Sequence, residues 1–326
     1  MVKIGRRAIG AGQPAFLVAE AGVNHNGSVE RALEMVRVAA AAGADAIKFQ
    51  TFRADALASR NAHKADYQVR NTGDNGGQLE MLRRLELRGE AFARIKDACE
   101  EAGILFLSTP FDPQSARFLA ELGIAAFKIG SGDVTNLPFL EQLARLGHPL
   151  ILSTGMSTLP EVAEAVRWIH GAGDPPLAIL HCLSTYPAPC EEYNLRAMIA
   201  LRDAFGLPTG LSDHTLGWEV TLGAVAMGAA IIEKHFTLDR SLPGPDHAAS
   251  LDPRELGAMV QQVRRLESAM GDGVKRPMPS ELSTRDVARK SVVTARDLPA
   301  GAVLIAIDLT IKRPGTGIPP GALRDL

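Results

Sequence analysis

The sequence predicts an α/β fold, a (β/α)8 TIM barrel, followed by a small β-rich domain. Eight short apolar runs recur between residues 16 and 238, and segments with the 3.6-residue periodicity of amphipathic helices separate most of them. Most of these helical segments end in glycine, which commonly follows the last helical residue. Alternating strands and helices require parallel pairing, and eight units over roughly 260 residues match the count and size of such a barrel. A doubly wound sheet of eight strands is the alternative that this pattern leaves open.

Each predicted strand is a run of apolar and β-branched residues with the length of a buried strand. In chain order the strands are FLVAEAG (16–22), DAIKFQTF (45–52), ILFLSTPF (104–111), AAFKIGSG (125–132), PLILSTGM (149–156), LAILHCLSTYP (177–187), PTGLSDHT (208–215) and AIIEKHFTL (230–238). The predicted helices include VERALEMVRVAAAAG (29–43), EAFARIKDACEEAG (90–103), QSARFLAELG (114–123), PFLEQLARLG (138–147), PEVAEAVRWIHGAG (160–173) and DPRELGAMVQQVRRLESAMG (252–271).

The composition changes after the last of these helices. Residues 272–283 combine Gly, Pro and Ser and predict a linker, so we place the barrel domain at residues 1–271. Residues 284–326 contain short β-rich runs and turns, which are typical of a small β-clip domain. Because the chain stops soon after the PGTGIPPG turn, we expect this second domain to be partial.

One connection, residues 53–87, is far longer than a usual loop between a strand and a helix. Its centre is polar and rich in Gly and Asn. Long loops on a rigid scaffold are often lids or binding loops, and a variable surface insertion is the alternative.

The composition excludes several classes of protein. With 326 residues, 46% hydrophobic residues and a formal net charge of -2, the chain has no excess of positive charge for nucleic acid or an anionic membrane. We find no signal peptide and no apolar stretch long enough to span a membrane. The three cysteines, Cys99, Cys182 and Cys190, are odd in number and widely spaced, which favours a reducing, cytoplasmic location.

Polar side chains gather where the predicted strands end, which is where barrel enzymes place their functional residues. The last inward positions are Glu20, Lys48, Gln50, Thr109, Lys128, Ser131, Ser153, Ser184, Tyr186, Ser212, His214, Glu233 and His235. Lys48 and Gln50 share one parity along their strand, as do Ser212 and His214, and Glu233 and His235. Since side chains alternate between the faces of a strand, each pair points to one side.

The two lysines lie within apolar runs, DAIKF and AAFKI, and therefore need an anionic partner. One interpretation is an internal ion pair with Glu20 or Glu233. The other is a bound phosphate or phosphorylated carboxylic acid, because lysine supplies a point charge and Ser and Thr hydroxyls donate hydrogen bonds.

His214 and His235 end two neighbouring strands beside carboxylates, so they either share a metal ion or are structural. Imidazole ligands with open coordination positions suit Mn²⁺, Zn²⁺ or Fe²⁺ better than Ca²⁺.

Many separate motifs resemble the N-acetylneuraminate (sialic acid) synthase family, which includes the legionaminate and pseudaminate synthases and a spore-coat polysaccharide protein. They are AEAGVNHNG, DAIKFQTF, NTGDNGGQLEMLRRLEL, LSTPFD, KIGSGD, STGMS, LHCLSTYPAP, GLSDHT, IIEKHFTLD and RPGTGI. The resemblance covers nearly the whole chain in register.

This resemblance implies a TIM barrel with a C-terminal antifreeze-like (SAF) domain. It implies an enzyme, a carbon–carbon bond-forming transferase, that condenses phosphoenolpyruvate with the open-chain aldehyde of an N-acyl amino sugar and requires Mn²⁺ or Mg²⁺. It also implies a domain-swapped homodimer with a composite site.

Residue by residue, the resemblance makes His214 and His235 the metal ligands and places Glu20 near the reacting carbons. Phosphoenolpyruvate would be held by Lys48, Thr109, Lys128, Ser131, Ser153 and Ser212. The sugar would lie along Gln50, Asn71, Tyr186 and Asp246, with Arg313 reaching from the partner's C-terminal domain.

The chain departs from the family in two motifs near the expected sugar, KIGSGD and LHCLSTYPAP. Asp133 replaces the usual Glu, and Leu183 and Ser184 lie where members vary, so N-acetylmannosamine and a 2,4-diacetamido-2,4,6-trideoxyhexose are both open as the sugar. The rival functions are a Schiff-base aldolase that uses Lys48 or Lys128, and a non-catalytic sugar-binding protein on the same fold.

Overall fold

A computed structural model describes residues 1–73 and 76–324 and divides the chain into two compact units, Met1–Met270 and Gly271–Leu326. Asp74 and Asn75 of the long connection and the last two residues lie outside the described residues.

The first unit is a closed barrel of eight parallel strands, which confirms the predicted fold class and excludes the doubly wound sheet. The strands are β3 (Phe16–Gly22), β4 (Ala46–Thr51), β5 (Leu105–Pro110), β6 (Phe127–Ile129), β7 (Leu150–Ser153), β8 (Leu177–Cys182), β9 (Thr209–Asp213) and β10 (Ile231–His235). The last strand pairs with the first, in the register His235 to Glu20, and thereby closes the barrel.

Helices surround the barrel and bury their apolar faces against the outer side of the strands. They are α1 (Val29–Ala41), α5 (Gly89–Ala102), α6 (Pro113–Glu121), α7 (Leu137–Arg145), α8 (Leu159–Ala172), α9 (Arg196–Phe205), α10 (Glu219–Ala226) and α11 (Pro253–Met270). Three of them, α1, α6 and α8, begin with a side-chain cap or a capping box. Asp112, for example, accepts hydrogen bonds from the backbone amides of Gln114 and Ser115 at the start of α6.

An N-terminal hairpin, β1 (Val2–Ile4) and β2 (Arg7–Ile9), closes the end of the barrel where the strands begin. Its buried side chains, Val2, Ile4 and Ile9, pack with the lower interior layer, which includes Phe16 and Ile231. Because this end is filled with apolar side chains, space inside the barrel remains only where the strands end.

The long connection between β4 and α5 forms three short helices: α2 (Ala54–Leu57), α3 (Asp66–Thr72) and α4 (Gln78–Leu85). Two small apolar clusters fix it to the barrel, and Met81 and Leu85 of α4 pack with Val23 and Phe52 in one of them. The connection is therefore a packed part of the barrel unit.

The second unit begins at Gly271, one residue before the predicted linker. Its helix α12 (Leu282–Ala288) follows a 3-10 turn at Pro279–Glu281. Two antiparallel strands, β11 (Ser291–Thr294) and β12 (Leu309–Lys312), form its sheet. Several of its large apolar side chains are exposed, among them Val303 at 87% and Ile307 at 76%.

None of the helices in the described residues combines the length and the apolar character that crossing a membrane requires.

Candidate active site

A cavity of about 400 Å³ opens at the carboxyl ends of the barrel strands. Polar and charged side chains from all eight strands or the loops after them contribute to it. Its lining is Glu20, Lys48, Gln50, Tyr67, Gln78, Thr109, Phe111, Lys128, Gly130, Ser131, Gly132, Ser153, Met156, Cys182, Ser184, Tyr186, Ser212, His214, Glu233 and His235. The expected period-two alternation therefore brings the chemistry-bearing residues of separate strands into one space.

Two buried lysines and two buried carboxylates form the floor of this cavity. Lys48 Nζ lies 2.8 Å from Glu20 Oε2 and 3.7 Å from Glu233 Oε2, and Lys128 Nζ lies 3.2 Å from Glu233 Oε1. All four side chains are at most 6% exposed. The internal ion pairs that the sequence left open are thus present, and they lie inside the cavity.

The two floor carboxyls differ in their affinity for a proton. Burial raises the pKa of Glu20 to about 7, against the opposing effect of Lys48. Burial also opposes ionisation of Glu233, but Lys128 and Lys48 outweigh it and lower the pKa of that carboxyl to about 2. Near neutral pH, Glu233 is therefore a fixed anion while Glu20 exchanges a proton, which is the property of a general acid or base.

Hydroxyl groups surround one side of the floor. Ser131 Oγ accepts a hydrogen bond from the amide of Gly155 at 2.9 Å, and a Cβ at Gly155 would come within 2.2 Å of Ser184 Oγ. A side chain at position 155 would therefore force these hydroxyls to move. Ser153 Oγ is buried and has no hydrogen-bond partner within the described residues. An unpaired buried hydroxyl beside two lysines is suited to donate to a bound anion.

The other floor contacts hold the lysines and Glu233 in place. Thr109 Oγ1 accepts from Lys48 Nζ at 3.0 Å, and Ser212 Oγ donates to Glu233 Oε1 at 3.0 Å. These two hydroxyls, both expected at the site, thus contact the charged groups directly.

His214 and His235 lie side by side at the rim, with ring centroids 5.3 Å apart. His214 Nδ1 bonds the Leu183 carbonyl at 2.7 Å, so this nitrogen carries the hydrogen and Nε2 remains available as a ligand. His235 Nδ1 is buried and has no partner in the described residues. Burial, followed by His214 and Lys48, lowers the pKa of His235 well below its ordinary value, so this ring is neutral as a metal ligand must be.

These donors fit a divalent ion with open coordination positions. Among residues 1–73 and 76–324, no group of three or more His, Cys, Asp or Glu side chains could hold an ion by itself. Two imidazoles therefore leave room for oxygen ligands from substrate or water. Although burial opposes protonation of His214, the neighbouring Cys182 and the Leu183 carbonyl raise its pKa, so a metal ion would compete with a proton for this ring.

An aromatic column borders the histidines. The Tyr186 ring stacks on His214 at 4.1 Å between centroids, and Tyr67 of α3 lies 4.9 Å from Tyr186. Asn71, also on α3, donates to the Pro245 carbonyl at 2.6 Å and thereby joins the long connection to the loop that carries Asp246. Burial raises the pKa of the Asp246 carboxyl to about 6.

Four residues expected along the sugar are not part of the cavity lining. Asn71 and Asp246 lie on the two loops beside it. Asp133 lies in the 3-10 turn Ser131–Asp133, and its carboxylate accepts from Asn136 at 3.0 Å. Arg313 is an exposed residue of the second unit, after β12.

Several cavity residues were missed by the sequence analysis. Cys182 shares the inward parity of Ser184 and Tyr186, so alternation could have assigned it. Tyr67 and Gln78 belong to the long connection, where no periodic pattern indicated which side chains would face the barrel.

Comparison with known proteins agrees with the motifs. The NeuB family matches residues 35–275 and the SAF domain matches residues 289–326. N,N'-diacetyllegionaminic acid synthase of Legionella pneumophila is 46% identical over 97% of this chain and 90% of its own length. The Campylobacter jejuni protein of the same name is 46% identical over 93% of this chain and 91% of its own.

Among solved structures, the N-acetylneuraminic acid (sialic acid) synthetase of Leptospira borgpetersenii, in complex with citrate, superposes with a TM-score of 0.77. It is 36% identical, and the match covers 87% of this chain and 94% of that one. The resemblance found in the motifs is thereby confirmed, and the chain belongs to the NeuB family, with a SAF domain at its C-terminal end.

Proposed function

We propose that the chain is a nonulosonic acid synthase, which joins phosphoenolpyruvate, water and the open-chain form of an N-acyl amino sugar and releases phosphate. The observation that carries this proposal is the buried floor of Lys48, Lys128 and Glu233 beside the unpaired Ser153 hydroxyl. Such a floor suits a small, multiply charged anion.

The sugar that we propose is a 2,4-diacetamido-2,4,6-trideoxyhexose, with N-acetylmannosamine as the alternative. Two relatives named for N,N'-diacetyllegionaminic acid are 46% identical, whereas the solved N-acetylneuraminic acid synthetase is 36% identical. The upper cavity wall also includes the apolar surfaces of Tyr67, Phe111 and Met156, which suit the methyl groups of a deoxy, bis-acetylated sugar better than hydroxyls.

We propose Mn²⁺ or Mg²⁺ as the cofactor, held by His214 and His235. A bound divalent ion would supply Lewis acidity to the sugar aldehyde as alkoxide charge develops. The protein contributes the imidazoles of His214 and His235 and the aromatic wall of Tyr186.

The floor residues would orient phosphoenolpyruvate and neutralise its charge. Lys48 and Lys128 would bind its phosphate and carboxylate, and the hydroxyls of Ser131 and Ser153 would donate to the same oxygens. Ser212 would join them by giving up its hydrogen bond to Glu233 Oε1. Glu20 can lose its proton near neutral pH. The carboxylates of Glu20 and Glu233 then balance the two lysine charges before substrate enters.

The proposed bond changes balance without an external acid or base. C3 of phosphoenolpyruvate forms the new bond to the aldehyde carbon, and the aldehyde oxygen becomes a hydroxyl by taking one proton. Water adds to C2 and releases that proton, for which Glu20 is the acceptor we propose. The C2 hydroxyl then forms the ketone as the C–O bond to phosphate breaks, and its proton leaves with phosphate.

Replacing Glu20 by Gln should lower kcat by about 10²-fold, because the side chain keeps its size but cannot accept a proton. The wild-type kcat/KM should rise with pH through a midpoint near 7, the pKa of Glu20. In Glu20→Gln this limb should vanish. If kcat/KM of Glu20→Gln still rose with pH near 7, the titrating group would not be Glu20.

The Glu20 carboxyl should also make the free energy of unfolding depend on pH. Its pKa is raised from 4.5 to about 7, so the stability that it adds is complete below pH 4.5 and is lost as pH rises through 7. Urea titrations between pH 4.5 and 7.5 should show this loss in the wild-type chain and a smaller loss in Glu20→Gln.

We propose that the protein is a cytoplasmic, domain-swapped homodimer in which Arg313 of one subunit reaches the sugar in the partner's barrel. The exposed apolar side chains of the second unit, such as Val303, Ile305 and Ile307, support burial against a second copy.

Mixing two inactive variants should then restore activity. An Arg313→Ala subunit cannot complete the site in its partner's barrel. A Lys128→Met subunit lacks one lysine of the site in its own barrel. Refolding them together should recover about a quarter of the wild-type sites, because half of the dimers are mixed and each holds one intact site. Recovery below a few per cent of wild type would contradict a shared site.

The function itself is tested with purified protein, Mn²⁺, phosphoenolpyruvate and each candidate sugar, followed by mass detection of the product. We expect the diacetamido sugar to give a nonulosonic acid with a kcat/KM at least about tenfold above that of N-acetylmannosamine. The reverse order would leave the synthase activity intact and overturn the choice of sugar. No product from any sugar would overturn the function.

A further inference from the structure

The residues that alternate with the site residues on β9 and β10 form a second buried network. Ser212 and His214 point into the cavity, whereas Asp213 between them points outward, and Lys234 has the same position between Glu233 and His235. The two strands pair in the register Asp213 to Lys234. The outward residues therefore face each other directly behind the two histidines.

Asp213 and Lys234 make an ion pair that is fully enclosed. Lys234 Nζ lies 3.0 Å from Asp213 Oδ2, and the side chains are 1% and 0% exposed. Lys234 Nζ also donates to the Thr215 carbonyl at 2.6 Å. One lysine thus joins the end of β10 to the backbone one residue beyond His214.

Asp213 also binds the turn at Thr215 through its second carboxylate oxygen, Oδ1. Asp213 Oδ1 accepts from the Thr215 amide at 2.9 Å and from its hydroxyl at 2.7 Å. Asp213 Oδ2 accepts from Thr221 Oγ1 of α10 at 2.7 Å. The carboxylate has three hydroxyl or amide donors besides the lysine, so the network is well satisfied despite its burial.

We propose that Asp213, Lys234 and Thr221 are positioning residues that set the separation and orientation of His214 and His235 for the metal. This inference rests on the metal site of the proposed function. The backbone on both sides of His214 is fixed, through Asp213 and Thr215, to the residue that precedes His235. Since the imidazoles are only two ligands, their relative position decides how well one ion is shared.

The network is suited to this role because it is rigid and lies apart from the cavity. Replacing the buried pair with apolar residues could serve packing equally well. Hydrogen bonds, in contrast, define direction, and here four of them converge on the turn between Asp213 and Thr215.

The test uses Thr221, the mildest member of the network. Thr221→Val keeps the shape and removes the donor, whereas Thr221→Ser keeps the donor and removes a methyl group. Mn²⁺ binding to substrate-free protein is measured by the EPR signal of free Mn²⁺. We expect Thr221→Val to weaken binding about tenfold and Thr221→Ser to remain within about twofold of wild type.

A stability control separates positioning from general loosening. Arg264→Met removes an ion pair with Asp45 (2.7 Å) at the opposite end of the barrel. It should lower Tm while leaving Mn²⁺ affinity within about twofold. Lys234→Met, measured only if it folds by circular dichroism, should weaken Mn²⁺ binding more than Thr221→Val does.

Two results would overturn the inference. Equal Mn²⁺ affinity in Thr221→Val and wild type would do so while leaving the proposed metal site intact. A wild-type chain that binds no Mn²⁺ would remove both the metal site and the positioning role, and turnover without added metal would identify that case.

Discussion

Replacing Lys128 by Met should reduce kcat/KM for phosphoenolpyruvate by at least about 10³-fold. The substitution keeps the length of the side chain and removes one of the two cations on the cavity floor. It also leaves Glu233 with its nearest remaining cation, Lys48, at 3.7 Å, so an unbalanced carboxylate would repel the incoming phosphate. Phosphate release in steady state measures the loss.

The matched control is Lys96→Met, which removes an exposed ion pair with Glu100 on α5. It should change kcat/KM by less than about twofold. A Lys128→Met enzyme within tenfold of wild type, with the same Tm, would show that the floor does not bind the phosphorylated substrate.

Lys128 also tests the Schiff-base rival. Burial lowers the pKa of its ammonium, which a lysine nucleophile would require. Borohydride added with pyruvate should nevertheless leave the mass of the protein unchanged, because Lys128 lies in an ion pair with Glu233 at 3.2 Å. A reduced adduct on Lys128 or Lys48 would favour the aldolase.

Replacing His235 by Ala should abolish metal-dependent turnover, with a loss of at least about 10³-fold in kcat/KM. One imidazole of a two-histidine site cannot hold the ion in a defined position, and the aldehyde would lose its electrophilic activation. Turnover against Mn²⁺ concentration, after dialysis against chelator, measures the change.

His170→Ala provides the control, since His170 is a surface residue of α8 that pairs with Asp174. Its metal response should match that of wild type. If His235→Ala remained fully active in metal-depleted buffer, the role of the histidine pair as ligands would be wrong.

The fold was predictable because the barrel repeats one simple unit. Each run from FLVAEAG to AIIEKHFTL contains a strand, but some strands end earlier than predicted, as β8 does at Cys182 and not at Pro187. The N-terminal hairpin was not predicted, because two three-residue strands are too short to give a periodic pattern. Its function in closing the barrel depends on contacts with residues far along the chain, such as Ile231.

The site was predictable where it follows strand parity and unpredictable where it follows loops. Alternation placed Lys48, Lys128 and His235 in one cavity without any structural information. It could not show that Tyr67 of the long connection would stack on Tyr186, nor that the Asp133 carboxylate would turn to Asn136. Those contacts depend on loop conformation, which short-range pattern does not encode.

Strand alternation also predicts that Asp213 and Lys234 point outward, but it does not predict which residues they contact. Asp213 and Lys234 occupy positions that the sequence identifies as facing away from the cavity. That they pair with each other, and with Thr221, depends on the register of two parallel strands and on the packing of α10.

The most direct test of the proposed chemistry follows one oxygen atom. Phosphoenolpyruvate labelled with ¹⁸O in the bridge between C2 and phosphorus is converted with the diacetamido sugar in the presence of Mn²⁺, and both products are analysed by mass spectrometry. We expect the label to leave entirely in phosphate, with one nonulosonic acid formed per phosphate released. Label retained in the sugar acid, or phosphate released without the acid, would contradict it.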